Sequence, residues 1–381
     1  MPRPPNLAPA TAAIPAAVYA PPAGSAGAAP GPVCPLNVGD TWLEPFAGAR
    51  VEDLRQADHP GLHRYSETRG VPALVDAIAE KVRARNGIRC EREGVLVCAG
   101  ATAALGCALA ALASPGEELV ILAPFWPLIR GIAQAFRAVP VEVPFYDRVD
   151  SAQAAVEAVR ARLSERSVAL YVSTPSNPTG RVLPRAWLEA LAELARREGL
   201  WLLSDEVYED YVYRGEHVSL ASLAPERTLS VFSFSKSYGM AGNRVGYLVG
   251  PEAPVSQAHK VGTHTYYSAP TAGQLLALRA LRDGGAWLER ARASYRRVGE
   301  EVARRLGLPA PEGSTFLFLD ARPRLDARGI SGWLGDLLAD GVALAPGSSC
   351  GSAYQGFARL CYTAAPPDAV AAAAALVARR L

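Results

Sequence analysis

The 381-residue sequence has little cysteine, no strong excess of either charge and no long apolar run. Its six cysteines form no Cys-x-x-Cys pair, which indicates neither a disulfide framework nor a zinc site, so we expect a reduced, cytoplasmic protein without a metal. The balance of 39 Lys+Arg against 37 Asp+Glu lacks the basic excess of a nucleic-acid or membrane-surface binder. No stretch reaches the roughly 18 apolar residues that span a bilayer.

The chain does have an apolar fraction of 50%, which is enough for a large core, and a length that suggests two domains. Residues 1–35 consist mainly of Ala, Pro and Gly with a single charge, Arg3, and we expect a flexible or polyproline-like arm there. We expect residues 61–285 to form a large domain. Residues 286–381 should form a smaller α+β domain, with residues 36–60 packed against it.

Short apolar runs alternate with segments of helical period. Residues 71–84 repeat their apolar positions close to every 3.6 residues, which predicts an amphipathic helix, and 101–112 and 187–197 are similar. The runs that we interpret as strands lie at 95–98, 119–122, 141–143, 168–172, 200–203, 229–234 and 245–249, with further strands at 315–319, 342–345 and 358–362. Buried parallel strands read as continuous apolar runs, so this rhythm predicts an α/β fold with a doubly wound, mostly parallel sheet.

Ligands of such sheets bind beyond the C-terminal ends of the strands. After the run at 95–98, a small-residue turn leads into Ala101, Thr102 and Ala103, whose N–H groups at a helix start can hold a phosphate. Taken alone, a plain helix cap at Thr102 is the simpler explanation. After the run at 119–122 comes Trp126, whose ring can stack on a flat ligand or pack in the core.

The strongest single signal is Lys236, which follows an apolar run and is flanked by Ser235 and Ser237. A lysine at the buried end of a strand has a lowered pKa and can form an imine, and these flanks speak against a solvated surface lysine. Asp205 is expected to face the same site and Glu206 to face away, because adjacent residues of an extended chain point to opposite sides. A helix cap is the competing explanation of Asp205.

Two further strings place binding groups on restrained backbone. Asn177 lies in the string at 173–180, where two prolines and a glycine restrict the chain so that the amide can be presented at little entropic cost. Arg359 alternates with apolar neighbours on a predicted strand. Its planar guanidinium suits bidentate recognition of a carboxylate, although a structural salt bridge is the competing explanation.

Together these strings resemble the class I/II aminotransferases of pyridoxal-phosphate fold type I, the family of aspartate and aromatic aminotransferases. Four motifs follow the family's order, SNPTG, SDEVYE, SFSKSYGMAGNRVGY and ARLCY, and the resemblance covers about residues 36–381. It implies pyridoxal 5′-phosphate as the cofactor and Lys236 as the Schiff-base lysine and proton shuttle. It also implies that Asp205 contacts the pyridine nitrogen, that Asn177 and Tyr208 contact the phenolic oxygen, and that Trp126 stacks on the ring.

The resemblance further implies how the phosphate and the substrate are held. The implied phosphate ligands are the N–H groups around 101–103 together with Ser233, Ser235, Arg244 and, from a second subunit, Tyr65. This last contact implies a homodimer with shared sites. The implied substrate ligands are Arg359 for the α-carboxylate, the backbone at Gly39, and Asn177.

The implied reaction moves the α-amino group of an L-amino acid to a 2-oxo acid by a ping-pong mechanism. No second arginine for a side-chain carboxylate is recognisable, and Trp126, Tyr266 and Tyr267 can line an apolar pocket. A neutral or aromatic donor is therefore expected ahead of aspartate. A lyase, racemase or synthase with the same cofactor shares the first proton abstraction and stays open.

Two alternatives belong to other functional classes. One is a non-catalytic binding protein on the same fold. Such a protein would not require a proton shuttle, so the presence of Lys236 together with the other implied site residues favours an enzyme. A hydrolase is suggested by the G-x-S-x-G string at 347–351, but that arrangement needs a histidine downstream, and the last histidine is His264.

Overall fold

The computed structural model describes residues 8–15, 18–19 and 31–381. Its helices are α1 Pro9–Ala12, α2 Pro72–Asn86, α3 Ala101–Leu112, α4 Leu128–Ala135, α5 Ala152–Arg160, α6 Arg185–Glu198, α7 Leu220–Leu223, α8 Phe234–Ser237, α9 Glu252–Thr265, α10 Thr271–Asp283, α11 Gly285–Arg305, α12 Gly329–Ala339 and α13 Pro367–Ala378. Its strands are β1 Cys34–Pro35, β2 Val95–Cys98, β3 Glu118–Ala123, β4 Val139–Pro144, β5 Ser167–Ser173, β6 Trp201–Asp205, β7 Thr228–Ser233, β8 Gly246–Val249, β9 Phe316–Asp320, β10 Val342–Ala343, β11 Ala345–Pro346 and β12 Phe357–Cys361.

The large sheet has seven strands in the order β2-β8-β7-β6-β5-β3-β4. Six of these strands run in the same direction, and β8, which lies between β2 and β7, runs in the opposite one. Helices α3, α4 and α9 pack on one face and α5 and α6 on the other. Every residue of β2, β3, β7 and β8 is buried, which is why apolar residues dominate these strands. The predicted α/β class with a doubly wound, mostly parallel sheet is confirmed.

A smaller antiparallel sheet has the order β11-β12-β9, and a short parallel pair joins β1 to β10. The prediction of one strand at 342–345 was wrong, because the chain changes partner there: Val342 and Ala343 pair with β1, whereas Ala345 and Pro346 pair with β12. Burial explains why residues 342–345 are apolar, but it does not determine which strands these residues pair with. The segment after β1 is tied to this region, since the Leu36 carbonyl accepts from the Cys361 N–H at 2.8 Å.

The described part of the N-terminal arm contacts the rest of the protein. Helix α1 packs near α4, and Ile14 lies close enough to Gly131 that a Cβ there would be 3.3 Å from its Cγ2. The Tyr19 carbonyl accepts from Asn37 Nδ2 at 2.9 Å. The prediction of a flexible arm for residues 1–7, 16–17 and 20–30 concerns residues outside the described ones.

Across residues 8–15, 18–19 and 31–381, no helix combines the length and the apolar character that crossing a bilayer requires. The same residues contain no group of three or more His, Cys, Asp or Glu side chains arranged to hold a metal ion. All six cysteines are free thiols.

Candidate active site

One pocket, of about 210 Å³, lies at the edge of the large sheet where β2, β5, β6 and β7 end. It contains all but two of the residues that the family resemblance implies as cofactor or substrate ligands. Its lining residues are Tyr19, Val38, Gly39, Ala101, Thr102, Leu105, Trp126, Asn177, Asp205, Val207, Tyr208, Ser233, Ser235, Lys236, Ala241, Arg244 and Arg359. The two that do not line it are Ala103, which is a half-buried residue of α3 packed against the core, and Tyr65, which lies at the surface.

Lys236 lies in the short helix α8, whose start is capped where Ser233 Oγ accepts from the Ser235 N–H at 3.1 Å. Its Nζ donates to the carbonyl oxygen of Gly39. A Cβ at position 39 would lie 2.7 Å from Phe316 Cζ, so this close backbone approach requires glycine. Burial lowers the pKa of Lys236. The side chain is therefore a better nucleophile at neutral pH than a solvated lysine.

Asp205 ends β6 and points into the pocket, whereas Glu206 points away from it. Glu206 accepts hydrogen bonds from Ser219 Oγ and Ser230 Oγ, at 2.9 and 2.7 Å, which confirms that the two acids face opposite sides. Asp205 Oδ2 accepts from the phenol of Tyr171 at 2.6 Å. Burial raises the pKa of Asp205 to about 6, although the Tyr171 hydrogen bond opposes that rise.

The turn before α3 and the side chains beside it fit an anionic group. Gly100 has φ +83°, and a Cβ there would collide with the guanidinium of Arg244. The first N–H groups of α3 have no partner within the helix, and Ala101 and Thr102 line the pocket. Ser235 Oγ is buried without a hydrogen-bond partner among the described residues. An orphaned hydroxyl, free amides and a guanidinium in one place are what a phosphate needs.

Arg359 is in the middle strand of the smaller sheet and is 1% exposed. Its Nη1 donates to Asn177 Oδ1 at 3.0 Å and its Nη2 to the Asn37 carbonyl at 2.7 Å. The Arg359 Cζ lies 4.5 Å from the ring centroid of Phe316 and 4.9 Å from that of Tyr19. These contacts fix the plane of the guanidinium. Its Nε is buried and has no partner among the described residues, which leaves a donor for a carboxylate.

Tyr19 lines the pocket, although no sequence motif pointed to it. Burial raises the pKa of the Tyr19 phenol, and its ring covers Arg359 from the side of the N-terminal arm. One signal was available, because Tyr19 is the only aromatic residue among the first 41. The segment around Tyr19 is rich in Ala and Pro and has no apolar periodicity, so no pattern predicted which way this side chain would face.

Two tyrosines expected in an apolar pocket do not line this one. Tyr266 lies beside Cys107, whose Sγ is 3.8 Å from its hydroxyl, and it packs against the core under α3. Tyr267 is at the surface, where its ring lies 4.8 Å from that of Tyr65. Tyr65 is 85% exposed. Within one chain, Trp126 alone of the three expected aromatic residues reaches the pocket.

Comparison with known proteins identifies the class of enzyme that this fold and pocket define, which is the aminotransferases. The sequence profile described as "Aminotransferase class I and II" matches residues 32–376, and the chain belongs to this family. Members of the family depend on pyridoxal phosphate. The resemblance carried by the four sequence motifs is thereby confirmed.

The relatives include enzymes with different amino donors. A probable aspartate/prephenate aminotransferase of Thermus aquaticus is 35% identical over 320 residues, which are 81% of each chain. An arginine–pyruvate transaminase of Pseudomonas aeruginosa is 36% identical over 339 residues, which are 85% of this chain and 84% of that one. A solved structure of a Thermus thermophilus aspartate aminotransferase tetra mutant matches 99% of each chain with a TM-score of 0.85 and 31% identity.

Proposed function

We propose that this aminotransferase binds pyridoxal 5′-phosphate covalently at Lys236 and moves the α-amino group of a neutral or aromatic L-amino acid to a 2-oxo acid by a ping-pong mechanism. The charges of the pocket support this most directly. Lys236 is buried, and the positive charges of Arg359 and Arg244 add to the effect of burial in lowering its pKa. A reactive amine between two anion-binding guanidiniums fits a cofactor phosphate on one side and a substrate carboxylate on the other.

The cofactor, when bound, supplies a conjugated ring that stabilises negative charge at the substrate Cα. The N–H groups of Ala101 and Thr102, with Ser233, Ser235 and Arg244, would hold its phosphate. Asp205 would hold a proton on the ring nitrogen, and Trp126 would pack against the ring face. Tyr208 and the Nδ2 of Asn177 would donate to the phenolic oxygen. Burial raises the pKa of Tyr208 well above its usual value, so Tyr208 stays a donor at neutral pH.

Lys236 Nζ would also be the group that moves the proton during the reaction. With its lowered pKa, this amine would accept a proton from the substrate Cα and deliver it to the cofactor carbon C4′, on the other side of the amino nitrogen. The Gly39 carbonyl, which accepts from Nζ, belongs to the same segment as Asn37, whose carbonyl accepts from Arg359. One short stretch of backbone therefore orients both the proton carrier and the carboxylate ligand.

The lining of the pocket supports a neutral or aromatic donor. The only cationic side chains among its lining residues are Lys236, Arg244 and Arg359, and each already has a role in this proposal. No further cation in the described part of the pocket would meet a side-chain carboxylate. Tyr19 and Val38 instead present apolar surface beside Arg359.

We also propose that the active enzyme is a homodimer in which Tyr65 reaches the phosphate of the partner subunit's cofactor. Tyr65 and Tyr267 form an exposed aromatic pair, and isolated aromatic pairs at a surface are typical of contact sites between subunits.

A panel of L-amino acids tests the proposed reaction. Each donor is added to the purified protein without an acceptor, and the absorbance of the bound cofactor is followed. We expect neutral and aromatic donors to convert the cofactor to its amine form, and 2-oxoglutarate to restore the aldehyde form. Release of ammonia or carbon dioxide without formation of the amine form would instead indicate lyase activity.

A further inference from the structure

Tyr171 and Asp205 form a buried phenol–carboxylate pair beneath the pocket. The Tyr171 hydroxyl donates to Asp205 Oδ2 at 2.6 Å, and both side chains are buried. The other carboxylate oxygen has only a long contact, 3.4 Å, with the Val207 N–H. No arginine, lysine or histidine forms an ion pair with Asp205 among the described residues. The phenol is therefore the main protein group that stabilises the negative charge of this carboxylate.

The strand register explains how the two side chains meet. Strands β5 and β6 run parallel, with Ser173 opposite Asp205 and Tyr171 opposite Leu203. Tyr171 thus lies two residues before the partner of Asp205 and on the same face, so its long ring reaches forward to the carboxylate. Tyr146, the neighbouring buried phenol, is used differently. Its hydroxyl donates to the Ser173 carbonyl and accepts from the Ser173 N–H.

We propose that Tyr171 is a positioning residue, whose hydroxyl keeps Asp205 ionised and aimed into the pocket, so that the ring proton of the cofactor stays on the pyridine nitrogen. This inference rests on the proposed function. A carboxylate that accepts a strong hydrogen bond has a lower proton affinity, and it therefore leaves the shared proton on the nitrogen. Without the phenol, the buried carboxylate would compete more strongly for that proton.

The surroundings of Asp205 determine the direction in which loss of the Tyr171 hydroxyl would change the pKa of Asp205. Burial raises the pKa of Asp205 to about 6 and Tyr171 lowers it, so removal of Tyr171 should raise it further. Burial raises the pKa of Tyr171 itself well above its ordinary value, so the phenol remains a donor throughout the neutral range. The titratable and charged groups that face Asp205 or line its pocket are Tyr19, Tyr146, Tyr171, Glu206, Tyr208, Lys236, Arg244 and Arg359. None of them replaces the Tyr171 hydrogen bond.

Binding of pyridoxamine 5′-phosphate to the cofactor-free protein tests the proposal without relying on turnover. This probe carries the ring nitrogen but forms no bond with Lys236. Its affinity should fall as the pH decreases through the pKa of Asp205. Below that pH the Asp205 carboxyl and the ring nitrogen of the probe each carry a proton, and only one proton can occupy the hydrogen bond between them. For Tyr171→Phe we expect the midpoint of that fall to lie about one pH unit higher, with binding about two- to fivefold weaker between the two midpoints and about tenfold weaker well below both.

Tyr146→Phe is the matched control, because it removes a buried phenol that does not touch the carboxylate. Its midpoint should match that of the wild-type protein. An unchanged midpoint in Tyr171→Phe, or an equal shift in both variants, overturns the proposal. An analogue of the probe with CH in place of the ring nitrogen should show no loss in Tyr171→Phe, and an equal loss would also overturn it.

Site-specific replacement of Tyr171 by 3-fluorotyrosine keeps the ring and its packing, so it serves even if Tyr171→Phe does not fold. The more acidic phenol donates more strongly and should move the midpoint to lower pH, and a shift to higher pH or no shift contradicts the proposal. Wild-type protein that binds no pyridoxamine 5′-phosphate would overturn both this proposal and the proposed function. Normal wild-type binding with no effect in the variants would overturn this proposal alone.

Discussion

The ring of Tyr19 lies over the guanidinium of Arg359, with 4.9 Å between the ring centroid and Cζ. The backbone of Tyr19 is held in turn by Asn37 Nδ2, and the Asn37 carbonyl accepts from Arg359. The N-terminal arm thus contributes one side of the place where a substrate carboxylate would bind. A cation over an aromatic face is stabilised by about 0.5–2 kcal/mol, depending on how far both groups are desolvated.

Tyr19→Ala should therefore raise the KM for aromatic donors by about 2- to 30-fold, with a smaller change in kcat. The variant removes both the ring that orients Arg359 and an apolar contact for the donor side chain. Steady-state kinetics with one aromatic and one small donor measures the effect. Tyr19→Phe keeps the ring and should stay close to the wild type. Equal kinetics of Tyr19→Ala and the wild type would show that the arm has no part in substrate binding.

Arg359→Ala should lower kcat/KM for amino acids by about 10- to 100-fold, because charge-assisted hydrogen bonds to a buried carboxylate are worth roughly 1.5–3 kcal/mol. The corresponding amines, which lack the carboxylate, are the matched comparison and should lose far less. The ratio of the two kcat/KM values, measured in both proteins, isolates the carboxylate contact. Equal losses for amino acids and amines would assign Arg359 a structural role.

A buried ion pair away from the pocket gives a prediction about stability. Lys81 pairs with Glu209 with both side chains under 10% exposed, at 6% and 8%, and Asn86 also donates to Glu209, at 2.6 Å. Lys81→Met leaves the carboxylate buried without its cation and should lower the free energy of unfolding by about 3–5 kcal/mol. Adding Glu209→Gln removes the unpaired charge and should recover part of that loss.

Urea unfolding of the cofactor-free protein measures these differences. The exposed pair of Arg185 and Glu216, with 53% and 67% exposure, provides the control. Arg185→Met should change the free energy of unfolding by less than about 1 kcal/mol. Similar losses for Lys81→Met and Arg185→Met would contradict the interpretation that burial makes the Lys81 pair costly to break.

Mixing two inactive variants tests the shared site of the proposed dimer. One subunit carries Lys236→Ala and the other carries Tyr65→Ala. In a mixed dimer, the site that retains Lys236 receives an intact Tyr65 from the other chain. Random exchange makes half of the dimers mixed, each with one intact site, so activity should reach about a quarter of the wild-type value. Activity no higher than the sum of the two variants would contradict a shared site.

Much of the fold follows from local sequence, because buried parallel strands are mostly apolar. The strand β2 and the helix α3 occupy the predicted 95–98 and 101–112 without change. The pocket could be anticipated for a related reason, since the polar strings follow strands whose ends meet at one edge. The division of 342–345 between two sheets could not be anticipated in this way, because the strands that pair with these residues are distant in sequence.

The residues that escaped prediction act through contacts between distant segments. Tyr171 lies inside an apolar run, where an aromatic residue is expected simply to pack, and only the register of β5 against β6 brings its hydroxyl to Asp205. Tyr19 lies in a segment without periodicity. Tyr171 and Tyr19 each contribute one functional group, and the role of that group depends on the residue that it contacts in the folded protein.

The most direct test of the account is to locate the covalent bond to the cofactor. The chain has only three lysines, Lys81, Lys236 and Lys260, so reduction of the pyridoxal-phosphate-loaded protein with borohydride followed by peptide mass spectrometry distinguishes them completely. We predict one label per chain, at Lys236, and neither label nor yellow absorbance in Lys236→Ala. A label at Lys81 or Lys260, or no label at all, would contradict the assignment of Lys236.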